Sequence, residues 1–403
     1  MVVDHLGARG DGVADGPVYI DGALPGETVS GVIREGRMTA ARILTPSPER
    51  VRPPCRHAKS CGGCLLQHAS DAFVAGWKVS QVQTALARVG VEATLRPVIT
   101  SPPESRRRAT LAGRRTKSGA LLGFYARASD TIVDVPDCQL LAPALSAARP
   151  ALTEMVLAGG TRKGTLTLQV TESDTGLDVA VSGGKPLDLA LLETLSAVIR
   201  ETPALARLTW NEEPVAQNAV PALSMGRAPV PLTAGGFLQA TRAGEAALLA
   251  GVEEAVGPQG PLVDLFAGSG TFTLPLSETS EVHAVEAEPE ALEALSAGWR
   301  AAGGLHRVTV EPRDLFRNPL QPSELKPFAA AVIDPPRAGA AAQVAEIAES
   351  TLTRLALVSC NPATFARDTR RLVDAGFGLD WVQVVDQFRW SPHIEIVSQL
   401  SRR

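Results

Sequence analysis

The sequence predicts an α/β protein in which a doubly wound parallel sheet follows an α+β central part and a small N-terminal β-barrel. Three observations lead to this fold class. From about residue 235, apolar strand-like runs alternate with helical stretches, which is the pattern of βαβ units. Residues 150–230 mix strands with a helix, and residues 1–50 are short β-prone runs between turn residues. With roughly 100–200 residues per domain, a chain of 403 residues accommodates three such parts.

The composition excludes several classes of protein. Hydrophobic residues make up 45% and charged residues 20%, which are values of a globular chain and not of a disordered one. No apolar run approaches the roughly 18 residues of a membrane span, and the first residues lack the apolar segment of a signal peptide. We therefore expect a cytoplasmic protein with no membrane partner, whose five cysteines serve metal ligation or catalysis rather than disulfides.

The charge is unevenly distributed along the chain. The formal net charge is -4, yet residues 1–150 contain 19 Lys and Arg against 13 Asp and Glu, and the remainder contains 20 against 30. A basic front joined to an acidic back predicts that any contact with a polyanion begins in the first 150 residues.

The first 50 residues predict a small closed barrel. Val18–Ile20, Thr28–Ile33 and Thr39–Leu44 are β-prone, and Asp-Gly and Pro-Gly pairs separate them. A barrel of the OB type commonly binds single-stranded nucleic acid, and a purely structural β cap is the alternative.

The segment after the N-terminal 50 residues contains a predicted helix and a run of basic residues. Ser70 or Asp71 can cap a helix over roughly 71–90, where apolar residues fall near helical spacing. The basic run comprises Arg106, Arg107, Arg108, Arg114, Arg115 and Lys117. Such a run is usually a solvated face, but with strand-like Leu121–Tyr125 beside it the run would form a surface for RNA phosphates and bases.

The C-terminal part contains the strands of the parallel sheet. The candidates are Leu262–Phe266, Val282–Val285, Val308–Val310, Ala330–Ile333 and Leu355–Ser359, followed by Val382–Val385 and Ile394–Gln399. Doubly wound sheets bind ligands at the carboxyl ends of their strands, so the residues that follow these strands are the candidate site.

The loop after the first of these strands predicts a nucleoside cofactor. Gly268 and Gly270 allow a tight turn and a close approach of the backbone to a ligand. The second strand leads to Glu286, 22 residues after Asp264, where an acidic residue can bind ribose hydroxyls. Because the full G-x-G-x-x-G of dinucleotide sites is absent, S-adenosylmethionine fits this loop better than a dinucleotide.

Three further candidates follow strands at the same edge. Asp334, before two prolines, can orient a substrate amide or amine, or alternatively cap a turn. Cys360 precedes Asn361-Pro362, a helix start whose unpaired amides would lower the pKa of the thiol, and a buried structural cysteine is the alternative. Glu395 lies in the last, apolar strand, where it would have a raised pKa and serve as a base, unless it faces solvent.

The other four cysteines predict a metal site. Cys55, Cys61 and Cys64 follow a C-x5-C-x2-C spacing, and Cys138 lies far downstream. Four thiolates suit structural zinc or an iron–sulfur cluster. Because the spacing lacks the paired C-x2-C of zinc knuckles, we favour a [4Fe–4S] cluster, with zinc as the alternative.

Three motifs carry a family resemblance, and they occur in the order Asp334-Pro335-Pro336-Arg337, Ser359-Cys360-Asn361-Pro362 and His393-Ile394-Glu395. Together they resemble the RNA uracil-5-methyltransferases, which use S-adenosylmethionine to make 5-methyluridine in ribosomal and transfer RNA. The cysteine spacing is similar to that of the branch that methylates 23S ribosomal RNA. Residues 1–50, with Leu24-Pro25-Gly26-Glu27, resemble the TRAM domain of that branch, an OB-like RNA-binding barrel.

The resemblance implies a division of the chain. A TRAM-like barrel would occupy residues 1–52, and a central iron–sulfur and RNA-binding domain residues 53–230. A Rossmann-like class I methyltransferase domain would occupy residues 231–403, with the helix over 71–90 packing on it.

The resemblance also implies roles for single residues. Cys360 would be the nucleophile, and Glu395 the base that removes the C5 proton. Gln239 would contact the cofactor and the target base. The other implied cofactor positions are Phe266, Glu286, Asp334, Asp314 and Thr271. Thr241 and Thr271 both occupy positions where the family often has asparagine. The implied cluster ligands are Cys55, Cys61, Cys64 and Cys138.

The implied reaction is methylation of uracil C5, activated by a covalent bond between Cys360 and uracil C6. Ribosomal RNA is the favoured substrate and transfer RNA the alternative, and no obligate protein partner is expected. Three rival functions are an N-methyltransferase, which would need no thiol, a cytosine-5 enzyme, and an inactive RNA-binding protein that keeps the fold. DNA cytosine-5 enzymes carry their nucleophile after the fourth strand, which disfavours the second rival.

Overall fold

The computed structural model describes residues 1–257 and 260–402, and its N-terminal region is built from short strands. These are β1 (His5–Leu6), β2 (Gly12–Ala14), β3 (Val18–Ile20), β4 (Thr28–Ser30), β5 (Arg37–Met38) and β6 (Arg42–Thr45). Strands β1, β2, β3 and β5 form one sheet, β4 pairs with β6, and a bridge between Val2 and Thr28 links the two sheets. Closure into a barrel stays a prediction.

Two predicted strands of this region are shorter in the structure. Val32 and Ile33 lie outside β4 and are 74% and 46% exposed. An ion pair between Glu27 and Arg50 stabilises this region. Glu27 is fully buried, its Oε1 lies 2.5 Å from Arg50 Nε, and its carboxylate also accepts the Leu24 N–H at 2.8 Å.

The central region is a seven-stranded sheet with helices on one face. Ahead of it lie α1 (Asp71–Arg88) and β7 (Ile99–Thr100). The sheet and its helices are β8 (Arg108–Arg115), β9 (Ala120–Tyr125), β10 (Ile132–Asp134), α2 (Pro143–Ala147), α3 (Arg149–Gly159), β11 (Leu166–Ser173), β12 (Gly176–Ser182), α4 (Leu189–Glu201), β13 (Leu205–Trp210) and β14 (Glu213–Gln217). The strand order is β10-β9-β8-β11-β12-β13-β14, and the helices share one apolar core with it. The helix that the sequence predicts within residues 150–230 is therefore confirmed, as α4.

The C-terminal region contains an eight-stranded, mostly parallel sheet. Its elements are β15 (Ala222–Met225), β16 (Ala228–Pro231), α5 (Arg242–Val256), β17 (Leu262–Leu265), α6 (Thr273–Leu276), β18 (Val282–Glu286), α7 (Pro289–Ala302), β19 (Val308–Pro312), α8 (Pro322–Leu325), β20 (Ala330–Ile333), α9 (Ala341–Ala348), β21 (Arg354–Ser359), α10 (Pro362–Asp374), β22 (Gly378–Asp386) and β23 (Glu395–Ser401). The strand order is β19-β18-β17-β20-β21-β23-β22-β7. All neighbours are parallel except β23, which runs antiparallel to β21 and β22. This order, with helices on both faces, is that of a Rossmann-like class I methyltransferase.

Helix α1 and strand β7 pack with this C-terminal sheet although they precede the central one in sequence. Val82 and Leu86 of α1 belong to the same buried core as Phe365 of α10. Lys78, fully buried, donates to Asp386 Oδ1 at 2.6 Å and so joins α1 to the end of β22. Burial lowers the pKa of Lys78, against the effect of the neighbouring Asp386. Among the helices that the structure describes, none is long and apolar enough to cross a membrane.

Candidate active site

The loop after β17 forms one wall of the predicted cofactor site. Phe266 adopts a φ of 65°, uncommon for a residue other than glycine, and Gly268 follows with a φ of 55°. A Cβ atom added at Gly268 would meet nothing within 4 Å, whereas one at Gly270 would lie 3.0 Å from Leu274. The strained turn therefore leaves open space at the carboxyl end of the sheet, where such folds bind a ligand.

Glu286, at the end of β18, directs its carboxylate at this loop. One oxygen accepts the Gly268 N–H at 2.9 Å, and the other accepts the Ala287 N–H at 2.7 Å and the Glu288 N–H at 3.1 Å. Each carboxylate oxygen has two lone pairs, so acceptor capacity remains for the hydroxyls of a ribose. The loop and this carboxylate fit the nucleoside part of S-adenosylmethionine.

Asp314 and Thr271 lie beside the same loop. Asp314 Oδ1 accepts the N–H groups of Phe316 at 2.9 Å and Arg317 at 3.4 Å, so it caps the turn after β19. Phe316 is 46% exposed, and its ring centroid lies 5.4 Å from that of Phe266. Thr271 is half-buried ahead of α6. The structure thus brings the turn of Asp314 next to Phe266, with an aromatic ring, that of Phe316, which the sequence analysis missed.

Cys360 and Glu395 come together at the ends of neighbouring strands. Ser359, the last residue of β21, pairs with Ile396 of β23. In an antiparallel ladder the next residue on each strand continues the pairing, so Cys360 and Glu395 face each other. Both side chains line one cavity of about 580 Å³. A thiol and a carboxyl group are therefore presented to the same bound molecule.

The predicted helix start after Cys360 is confirmed, but its predicted effect on the thiol is wrong. Helix α10 begins at Pro362 with Asn361 as N-cap. Burial nevertheless raises the pKa of the Cys360 thiol to about 11, and the charges of Glu395 and Asp334 add to the increase. Removal from water and two neighbouring carboxylates outweigh the amides of the helix.

Two carboxyl groups of the site have pKa values near neutrality. Burial raises the pKa of Glu395 to about 8, Asp334 adds to the increase, and the side-chain amide of Gln387 opposes it. Burial also raises the pKa of Asp334 to about 7, with a further contribution from Asp264. Groups that titrate in this range can accept and release protons during a reaction.

Gln239 is held by a buried arginine. Gln239 is 3% exposed, and its backbone carbonyl accepts the Nε–H of Arg107 at 3.0 Å. Arg107 is 1% exposed and forms an ion pair with Glu245. The assignment of Arg107 to a basic surface is therefore wrong, because its hydrogen bonds are satisfied inside the protein. Its neighbour Arg108 instead stacks on Phe237 at 4.9 Å, beside the cavity.

Gln387 is a site residue that the sequence analysis missed. It is 2% exposed, and its Nε2 donates to Gln239 Oε1 at 2.5 Å. It follows directly after strand β22, where a single polar residue beyond an apolar run gives no periodic signal. Its part in the site becomes visible only when the fold brings residues 239 and 387 together.

The four remaining cysteines line the same cavity as Cys360. Burial raises the pKa of Cys64 to about 12, and the charges of the other three cysteines act in the same direction. Arg106, also in this cavity wall, lies close enough for Cys64 and Cys138 to affect its pKa. Among the described residues, however, no group of three or more His, Cys, Asp or Glu is arranged to hold a metal ion. The cluster therefore stays a prediction.

A second cavity lies on the other side of Cys360. It has a volume of about 770 Å³ and is walled by the loops of residues 4–8, by helix α1, and by the start of α10. Arg337, Cys360 and His393 line both cavities. Cys360 thus borders two cavities, one lined in part by the N-terminal region and one by the cysteine-rich segment.

Comparisons with known proteins agree with this architecture. A family profile described as tRNA (Uracil-5-)-methyltransferase matches residues 301–403. An uncharacterized RNA methyltransferase of Brucella suis is 40% identical over 100% of this chain and 97% of that protein. The 23S rRNA (uracil(1939)-C(5))-methyltransferase RlmD of Halomonas elongata is 33% identical over 98% of this chain and 88% of its own length.

A solved structure shows the same fold over the whole chain. The tRNA (uracil-54, C5)-methyltransferase of Pyrococcus abyssi, in complex with S-adenosyl-L-homocysteine, superposes with a TM-score of 0.77. The match covers 99% of both chains at 21% sequence identity. With relatives of more than 30% identity along nearly its full length, this chain belongs to the RNA uracil-5-methyltransferase family of enzymes.

Proposed function

We propose that this protein methylates C5 of a uracil in RNA, with S-adenosylmethionine as methyl donor and through a covalent adduct on Cys360. The observation that carries the proposal is the pairing of Cys360 with Glu395 in one cavity at the carboxyl edge of the sheet. A retained thiol and base also argue against an inactive RNA-binding protein. An N-methyltransferase would need no thiol in this position.

The chemistry of uracil explains why both groups are needed. Uracil C5 is too weak a nucleophile to attack a methyl sulfonium unaided. Addition of the Cys360 thiolate to C6 places the electron pair of the C5–C6 double bond in an enolate, and C5 then takes the methyl group. Glu395 removes the C5 proton, the double bond re-forms, and Cys360 leaves as a thiolate. The target base must leave its stack to reach the thiol, at a cost of a few kcal/mol.

The thiolate has to be formed within the assembled site. In the free protein the Cys360 thiol has a pKa of about 11, and Arg337 is the neighbouring charge that lowers it. Arg337 would therefore stabilise the thiolate as it forms, against the charges of Glu395 and Asp334. S-adenosylmethionine supplies the methyl group and a positive sulfonium charge.

Five residues would hold the cofactor in this proposal. We assign the ribose to Glu286, the adenine side to Phe266 and Asp314, and the methionine side to Asp334 and Gln239. The assignment of Glu286 is supported by its carboxylate, which is fixed by three backbone amides at 2.7–3.1 Å beside the open glycine loop.

We expect Glu286→Gln to weaken binding of S-adenosylmethionine roughly tenfold to a hundredfold, the effect of losing a hydrogen bond to a charged group. The amide keeps the shape of the side chain but turns an N–H group toward backbone donors or toward the ribose. Isothermal titration calorimetry measures the change. Glu293→Gln, an exposed position on α7, is the matched control and should bind as the parent does. Equal affinities for both variants would contradict the assignment.

We propose 23S ribosomal RNA as the substrate, with transfer RNA as the second candidate. Similarity to the 23S rRNA enzyme over 98% of the chain supports this choice, as does the four-cysteine set. Mass mapping of 5-methyluridine in ribosomal and transfer RNA from a deletion strain tests it. Loss of one methylated uridine from ribosomal RNA is the expected result, and loss from transfer RNA alone would assign the second candidate. Since these RNAs are cytoplasmic, the proposal includes a cytoplasmic location.

We assign a role to each of three parts of the chain and to each of the two cavities. Residues 1–52 would act as a TRAM-like RNA-binding unit, residues 53–230 as the cluster and RNA-binding unit, and residues 231–403 as the methyltransferase. The cavity of about 770 Å³ between the N-terminal loops, α1 and Cys360 has room for nucleotides that flank the target. The cavity of about 580 Å³ beside the cysteines would receive the flipped base.

We further propose that Cys55, Cys61, Cys64 and Cys138 ligate a [4Fe–4S] cluster. Four thiols line one cavity wall, and backbone N–H groups donate to two of the sulfurs at 3.4 Å. The C-x5-C-x2-C spacing with a distant fourth cysteine lacks the paired C-x2-C of zinc knuckles, which is the reason for preferring the cluster to zinc. In the scheme above the cluster has no redox step, so its role would be to shape the RNA-binding wall.

We expect Cys61→Ser to lose iron and to bind substrate RNA about tenfold more weakly while the methyltransferase sheet stays folded. Iron content, RNA affinity by filter binding and S-adenosylmethionine affinity are measured on the same preparation. Cys360→Ser is the matched control, because it removes one thiol of the same cavity and should retain iron. Loss of cofactor binding together with RNA binding would instead indicate a structural role for the cluster, and full retention of iron would contradict the ligand assignment.

A further inference from the structure

Gln387 connects two groups of the site that lie far apart in sequence. Its Oε1 accepts the backbone N–H of Ala240 at 2.9 Å and that of Thr241 at 3.4 Å. Because those backbone groups can only donate, they fix which end of the Gln387 amide is the oxygen. Its Nε2 therefore points the other way and donates to Gln239 Oε1 at 2.5 Å.

The Gln387 amide also lies beside Glu395, the proposed general base. Val385 pairs with Glu395 in the antiparallel ladder, so Gln387, two residues beyond Val385, lies on the same side as Glu395, and its amide lowers the pKa of that carboxyl against the effect of burial. All three side chains are buried, with 3%, 2% and 8% exposure for Gln239, Gln387 and Glu395. A buried amide with its oxygen held by two backbone groups has little freedom to rotate, so it holds both partners in fixed orientations.

We propose that Gln387 is a positioning residue, which fixes the side-chain amide of Gln239 and holds the Glu395 carboxylate ready to take the C5 proton. The proposal rests on the function proposed above, because it assigns Glu395 the proton-removal step. In this role Gln387 acts through its neighbours Gln239 and Glu395. Asp386, the preceding residue, is fixed by its ion pair with Lys78, which anchors this end of β22.

The pH dependence of the reaction gives the proposal a distinctive readout. Other charged and titratable groups around Glu395 are Asp334, Cys360, His393, Arg106, Arg337 and Arg389. Removal of the amide donor leaves these groups in place and withdraws the effect of the Gln387 amide, which lowers the pKa of the Glu395 carboxyl. The pKa of Glu395 should then increase, and the activity limb that reports its ionisation should move to higher pH.

The experiment compares Gln387→Glu, Gln387→Met and Gln383→Met with the parent protein. Gln387→Glu keeps an oxygen acceptor for the Ala240 and Thr241 amides and removes the donor. Gln387→Met removes both. Gln383→Met is the matched control, since Gln383 is a buried glutamine of the same strand whose Nε2 donates to backbone oxygens of Pro97 and Val384.

Turnover of a uridine-containing RNA fragment is measured against pH at saturating cofactor. We expect kcat to fall roughly tenfold to a hundredfold in Gln387→Glu and Gln387→Met, with KM for RNA little changed. The limb should move up by about one pH unit in Gln387→Met and further in Gln387→Glu, which adds a carboxylate. The control should keep the parent limb. A fall in kcat with an unmoved limb in Gln387→Glu, or activity equal to the parent, would overturn the proposal.

Failure of this inference is separable from failure of the proposed function. An RNA with 5-fluorouridine at the target cannot lose its C5 substituent as a proton, so the adduct accumulates before the Glu395 step. If the parent forms no adduct, the proposed function fails. If the parent and Gln387→Glu form the adduct at similar rates while their turnover of uridine RNA differs, the defect lies in proton removal by Glu395, as we propose. A rate of adduct formation reduced as much as turnover would refute it.

Discussion

Cys360→Ala should abolish methyl transfer, lowering kcat/KM by at least about 10⁴-fold, because the variant lacks the thiol that we propose adds to uracil C6. Among the described cysteines, Cys360 is the one at the end of a sheet strand opposite Glu395. Transfer of labelled methyl groups from S-adenosylmethionine to RNA measures the loss. The variant should still bind cofactor, since the thiol is not among the residues assigned to hold it.

Ser359→Ala serves as the control for this substitution. Ser359 is the neighbouring strand residue, and its hydroxyl donates to the Asn361 carbonyl at 3.3 Å, so the change tests disturbance of the loop without removal of the thiol. We expect most of the activity to remain. Methyl transfer by Cys360→Ala at a rate within tenfold of the parent would instead favour an N-methyltransferase, which needs no covalent step.

Glu395→Gln should separate the two halves of the reaction. Without a carboxylate to take the C5 proton, turnover should fall by about 10²–10⁴-fold, the range for loss of a general base. Addition of Cys360 and transfer of the methyl group precede that step, so a methylated RNA–protein adduct should accumulate. A band that resists denaturation on a gel and carries the methyl label measures it.

The pH profile supplies a second test of Glu395. The base acts as a carboxylate, and burial has raised its pKa to about 8. Activity of the parent should therefore increase with pH as Glu395 loses its proton, and this limb should be absent in Glu395→Gln. Glu349→Gln, an exposed glutamate at the end of α9, should keep both the limb and the rate. If the limb persists in Glu395→Gln, it reports the ionisation of another group.

Local signals in the sequence were sufficient for the main architecture. Apolar runs of four or five residues predicted strands that the structure confirms within a few residues, as for Ala330–Ile333, which is β20. Asn361 followed by Pro362 predicted the start of α10, because the N-cap and first-turn preferences of these residues are local. Side chains that follow strands could be assigned to one edge because parallel topology brings those ends together.

Properties that depend on distant neighbours could not be predicted. The pKa of Cys360 depends on burial and on two carboxylates from other strands, and these outweigh the helix start that the sequence shows. Arg107 lies in a basic run, yet the fold turns it inward to Glu245 and the Gln239 carbonyl. Gln387 has no motif of its own, and the hydrogen-bond partners Gln239, Ala240 and Thr241 lie about 150 residues earlier in the chain.

The most direct test of covalent methylation at uracil C5 is peptide mapping of a trapped complex. The parent protein is incubated with S-adenosylmethionine and an RNA that carries 5-fluorouridine at the target, then digested with protease and nuclease and analysed by mass spectrometry. We predict a nucleotide, methylated at C5 and still carrying fluorine, joined to Cys360. Methylation of the uridine form of this RNA without any adduct at Cys360, or an adduct on another residue, would contradict the mechanism.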